Sequence, residues 1–194
     1  MKKRGFNLKK EYHECWKYLK DSRKFIYIII GIFFSFAIIG FFIPAPDYLI
    51  EQIMRFIEDI LGKTEGLSTL GLMKFIFFNN LKSSFFGMAF GILLGIFPIF
   101  ATIANGYILG FVSALSVSSQ GALSLLTLLP HGIFELPAIF ISLGLGLKLG
   151  MFVFQKDKQK FFKENLLKSL KTFLLIVIPL LIIAGIIEGV LIAG

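Results

Sequence analysis

From residue 83 to residue 134 the chain carries no Asp, Glu, Lys or Arg. About 20 apolar residues span a bilayer, so this uncharged run is long enough to cross one more than once. Soluble domains carry roughly a quarter charged residues; here the figure is 16%. Mean hydropathy is +0.83 and Phe alone accounts for 24 residues. These features exclude a soluble enzyme, a disordered tail and a nucleic-acid-binding domain. They predict an all-α integral membrane protein of about five transmembrane helices, one domain by its length of 194 residues.

The charges that remain sit beside the apolar runs. Residues 1–24 hold nine Lys/Arg against Glu11, Glu14 and Asp21, and residues 148–171 hold seven lysines against Asp157 and Glu164. Segment 44–84 has four basic and five acidic residues. Basic segments are retained on the cytoplasmic side and attract anionic lipid headgroups. The net charge of +8 is therefore a membrane signature and not a nucleic-acid footprint. A multi-pass plasma-membrane protein is expected, with a cytoplasmic N-terminus and an outside C-terminus. Residues 1–24 read as a basic cytoplasmic segment. Residues 25–194 read as one five-span membrane domain, with 44–84 as its outer loop and 154–171 as a lysine-rich cytoplasmic loop. The one cysteine, Cys15, excludes an intrachain disulfide.

Along the chain, Leu8, Tyr12, Trp16 and Leu19 recur at helical spacing. They predict a short amphipathic helix over 7–23, lying in the headgroup layer with Tyr12 and Trp16 as anchors. The apolar stretch 25–43 is too long for a signal-peptide core and reads as the first span, ended by Pro44 and Pro46. An outer amphipathic helix is expected over 48–61, capped by Asp47, followed by a loop over 63–74. Spans are expected near 84–102, 105–119, 125–153 and 172–192, with a tight turn between Pro98 and Asn105. The fourth span is expected to break near Pro130–Gly132, and again at Pro137.

Glu135 is placed between two apolar runs, where a bare carboxylate is costly. His131 lies one helical turn before it, within pairing reach. A broken helix carrying a His–Glu pair has two readings: a structural lock, or an ion or substrate site. Asn105 is grouped with this intramembrane polar site. Asn79 and Asn80 are expected at the outer interface, and Glu188 near the outer end of the fifth span, in reach of water. Gly87, Gly91 and Gly95 lie on one face of span two, and Gly106 and Gly110 on one face of span three. Such spacing lets helices approach closely, either within the chain or in a homodimer. No nucleophile–base pair, phosphate-cradling loop or metal-ligand set is present. No catalytic residue, metal or cofactor is expected.

Phe78-Asn79-Asn80, Asn105-Gly106, Leu109-Gly110 and above all Leu129-Pro130-His131-Gly132-Ile133-Phe134-Glu135-Leu136-Pro137-Ala138 resemble the stage II sporulation protein M family over about residues 20–194. The resemblance implies a five-helix membrane protein. The family's namesake is a non-enzymatic scaffold that recruits a peptidoglycan-degrading pair to the septum during engulfment of the forespore. It makes Asn79, Asn80, Asn105, His131, Glu135 and Pro137 the signature positions of this chain. Two functions follow as expectations: a membrane scaffold holding partner proteins through its outer loop, or a small transporter or channel for protons or ions using His131 and Glu135. The expected partners are the lipid bilayer, protein partners and a second copy of the chain as a dimer.

Overall fold

The computed structural model describes residues 7–193, with the side chains of 127–132, 134, 192 and 193 not among the described ones. The described elements are all helical: α1 (Leu8–Phe42), α2 (Asp47–Thr64), α3 (Thr69–Ala89), α4 (Ile96–Gln120), α5 (Leu129–Gly150), α6 (Lys158–Thr172) and α7 (Ile178–Ala193). Tight 3₁₀ turns precede and follow α5, and a π turn over Phe173–Val177 fuses α6 to α7. Among the described residues, four stretches are long and apolar enough to cross a membrane: Leu8–Phe42, Ile96–Gln120, Glu135–Phe154 and Lys158–Leu191.

α5 is the central helix. Its second half is enclosed on every side, with Ala138, Ser142, Leu145 and Leu149 at 0% exposure. It packs against α1, α3 and α7. Lipid tails are as apolar as leucine, so burial alone gives such a bundle little cohesion, and close helix approach must supply it. Glycine creates that approach. A Cβ on Gly110 would stand 2.0 Å from the Ala37 carbonyl oxygen, and one on Gly106 would stand 2.4 Å from that of Phe33. These contacts run α1 and α4 side by side in the same direction. Gly87 meets Leu143, Gly91 meets Gly146 and Gly95 meets Gly150, which aligns the α3 end with α5. α7 lies antiparallel to α3, with Gly185 against Phe77 and Gly189 against Met73.

The structure moves several boundaries. The separate helix over 7–23 does not exist: α1 is continuous from Asn7, whose side chain caps Lys10 N at 3.3 Å. Its inner face is buried at Cys15, Tyr18, Leu19 and Ser22, while Leu8, Tyr12 and Trp16 stay exposed, so one face of this stretch packs against α6 as a continuation of α1. The loop expected over 63–74 shrinks to 65–68, because the Ser68 hydroxyl caps α3 by accepting from Gly71 N.

The span expected over 84–102 straddles a turn. α3 stops at Ala89, and the chain reverses through Leu94 (φ 58°) and Gly95 (φ 70°). Pro98 then falls in the first turn of α4, where a missing N–H costs nothing, so no turn lies between Pro98 and Asn105. Pro130 likewise falls in the first turn of α5, after a 3₁₀ stretch over Ala122–Leu128. The expected break inside the fourth span is therefore a helix start, and Pro137 alone lies within the helix. The lysine-rich loop is helical from Lys158, where Asp157 caps Lys160 N at 3.1 Å.

Candidate functional site

Two buried polar centres sit in the bundle. The first joins α3 to α5. Glu135 lies in the first turns of α5, and the Asn80 side chain, 8% exposed, faces its carboxyl. α3 presents Asn80, Ser84, Gly87 and Met88 to the interior from one face. Ser84 Oγ and Ser142 Oγ, one on each helix, are buried with no hydrogen-bond partner among the described residues. Glu188 is only 4% exposed and lies on the α7 face that meets α3. It does not reach water as expected, because α7 turns that face inward to seat Gly185 and Gly189 against α3.

Asn105 is not part of this centre. It is exposed on α4 and donates to the Ala101 carbonyl of its own helix at 2.7 Å. Asn79 is also exposed, on the side of α3 away from Asn80. The His131 side chain, and with it the expected His131–Glu135 pair, lies outside the described residues.

The second centre lies where α1, α5 and α6 meet. Lys148 is 8% exposed. Its ammonium donates to Ser22 Oγ at 2.9 Å and stands 4.1 Å from the centroid of the Tyr18 ring. Ser22 Oγ in turn donates to the Tyr18 carbonyl at 2.7 Å. The Tyr18 hydroxyl lies 3.1 Å from Asn165 Oδ1 and 3.0 Å from Ser169 Oγ. One turn further out, Lys171 bridges Glu11 and Glu14, at 2.6 Å to the latter. The cation over an aromatic face, partly shielded from water, is worth about 1–2 kcal/mol. The centre pins α1 to α6. Sequence reasoning grouped Lys148 with the basic cluster of 148–171. The signal that could have separated it is the run Leu145-Gly146-Leu147-Lys148-Leu149-Gly150, in which one charge is set inside an otherwise apolar glycine-spaced segment.

No group of three or more His, Cys, Asp or Glu able to hold a metal occurs among the described residues. The arrangement ties helices together and places ionisable groups inside the bundle.

Residues 29–191 match the Stage II sporulation protein M family. An uncharacterized protein of the archaeon Methanocaldococcus jannaschii is 30% identical over 179 residues, covering 87% of this chain and 77% of the relative. A second uncharacterized protein of the same organism is 33% identical over 117 residues, covering 57% of this chain and 65% of the relative. No solved structure matches the chain. The family match spans most of the apolar helices, the first polar centre and the α5 and α6 side of the second, and the chain belongs to the Stage II sporulation protein M family.

Proposed function

We propose that this multi-pass membrane protein is a non-enzymatic scaffold that holds partner proteins at the membrane. The observation that carries this reading is α2. It is a full helix of 18 residues with one fully buried side chain, Ile53, flanked by half-buried Leu49, Ile50, Ile57 and Ile60, while Tyr48, Phe56 and Leu61 are more than half exposed. Glu51–Arg55 and Asp59–Lys63 ion pairs keep it helical. A helix so exposed along its other faces, presenting aromatic rings between charges, has the composition of a docking element. In this reading α3 is the fifth crossing. Lys74, Asn79, Asn80 and Lys82 lower its hydropathy, yet it packs against α5 and α7 in the centre of the bundle. The basic ends of α1 and α6 then face the cytoplasm and its anionic lipids.

The test is native gel migration of the complex from its own membranes. The wild-type chain should migrate in an assembly larger than the purified chain. Tyr48→Ser with Phe56→Ser should release it while leaving the purified chain folded. An assembly that survives both substitutions, with the chain correctly inserted, would overturn the α2 docking reading.

The Glu135–Asn80 contact, with the orphaned hydroxyls of Ser84 and Ser142, favours a second reading, an ion or proton pathway. It predicts flux in proteoliposomes that Glu135→Gln abolishes. No flux from a folded wild-type protein would leave Glu135 as a structural tie.

A further inference from the structure

α3 has a second face that its packing does not use. Asn79, Lys82, Ser83 and Phe86 follow helical spacing on a face about 100° around the helix from Asn80, Ser84 and Gly87, and all four are exposed. Phe78, 52% exposed, flanks them. Lys82 makes no ion pair or hydrogen bond among the described residues.

The depth of Lys82 can be read from helix register. Lys148 marks the polar layer at the basic end, where it donates to Ser22. Leu143 lies five residues up α5 and meets Gly87; Lys82 lies five residues further along α3 in the same direction. At 1.5 Å per residue this sets Lys82 about 15 Å from the Lys148 layer, half of a hydrocarbon core roughly 30 Å thick. The lysine stem is much shorter than that distance and cannot carry its ammonium to the headgroups. A charged group at this depth normally faces protein or a water-filled cavity.

We propose that the Asn79–Lys82–Ser83 face of α3 is the docking surface for a transmembrane helix of another protein, one carrying an aspartate or glutamate at mid-depth. The proposal rests on the scaffold reading and on α3 as a crossing, and deepens both by naming the surface and the partner's chemistry. Charge complementarity selects the occupant. A second copy packed α3 on α3 would bring like charges together. Nor does this chain offer a matching acid: every exposed carboxylate among the described residues lies near the start of α1, on α2 and its linker, or on Asp157 and Glu164. Glu188 is buried and Glu135 faces Asn80 between α3 and α5. The partner helix must bring the acid. Asn79 and Ser83 would supply hydrogen bonds beside it, and Phe78 and Phe86 the flanking apolar contact.

The test uses the full chain in proteoliposomes, with energy transfer to an acceptor-labelled Leu/Ala transmembrane peptide bearing one central Glu, Gln or Lys. The wild type should bind the Glu peptide at least tenfold more tightly than the Lys peptide. Lys82→Leu, which removes a charge from the bilayer interior and so does not threaten insertion, should abolish that preference. Lys82→Glu should reverse it. A preference unaffected by either substitution would overturn the proposal. So would rapid modification of Lys82→Cys, in a Cys15→Ser background, by an impermeant thiol reagent, because the face would then line a water path. Loss of self-association in Lys82→Leu would also overturn it, in favour of a second copy. Failure here with the native assembly intact would leave the scaffold reading standing, whereas loss of the assembly itself would remove that reading first.

Discussion

Substituting Gly110 by alanine tests whether glycine contact holds α1 to α4. The new Cβ would stand 2.0 Å from the Ala37 carbonyl oxygen and 2.8 Å from Phe41 N, both backbone atoms that no side-chain rotation can move aside. Ordinary contact requires the helices to separate by more than 1 Å at this point. A gap of 0.5–1 Å already forfeits a quarter to a half of each dispersion contact, at about 0.1–0.2 kcal/mol apiece. About twenty such contacts along the crossing would lose about 1–2 kcal/mol, in keeping with the roughly 1–3 kcal/mol typical of overpacking. Gly31 is the matched control, because a Cβ there meets nothing within 4 Å and lies in the same α1 helix. Gly31→Ala should stabilise by up to about 1 kcal/mol through helix propensity alone. The same propensity gain applies at Gly110 and cancels in the comparison; the assay is reversible unfolding of both variants in mixed micelles, where the gap between them should be about 1–2 kcal/mol. If Gly110→Ala is as stable as Gly31→Ala, close approach at glycine does not hold this crossing.

Leu94 occupies the left-handed region with φ 58°, where a side chain costs about 1–2 kcal/mol, so Leu94→Gly should raise the unfolding midpoint in the same micelles. Ser22→Ala removes the hydrogen-bond partner of the buried Lys148 ammonium and should cost about 1–3 kcal/mol; Lys148→Met should cost less, since it removes the charge that needs the partner. Ile53→Ala should cost about 2 kcal/mol or more and loosen α2 in hydrogen exchange. Phe56→Ser, at a site 52% exposed, should stay within about 0.5 kcal/mol of wild type.

Much of the helical content was readable because long apolar runs admit no other structure in a bilayer. The boundaries were harder. The reversal at Leu93-Leu94-Gly95 carries none of the usual turn residues before its glycine, and its amides are satisfied locally: Leu93 N by Phe90 O, Gly95 N by Gly91 O and Ile96 N by Leu93 O. Pro98 drew the turn toward itself because a proline ends a helix and opens one with the same residue type. Glu135 was legible as an acid set between apolar runs, and it is half-buried; the residue it faces, Asn80, comes from a helix that sequence reasoning had left half in a loop. The mid-depth position of Lys82 was not legible at all, because it depends on the register between α3 and α5 and no local pattern carries it.

α1 runs unbroken for 35 residues, about 52 Å at 1.5 Å per residue, well beyond a hydrocarbon core of roughly 30 Å. α6 continues through the π turn into α7 without a loop. The Lys171–Glu11–Glu14 bridges and the Tyr18–Asn165–Ser169 contacts clamp the two projecting ends into one stalk. The two helices are thereby held as one lever at this end: α1 and the fused α6–α7 helix are tied together, so a tilt of one carries the other with it. The π turn, with its wider winding, marks where this tied region gives way to the α7 face that meets α3.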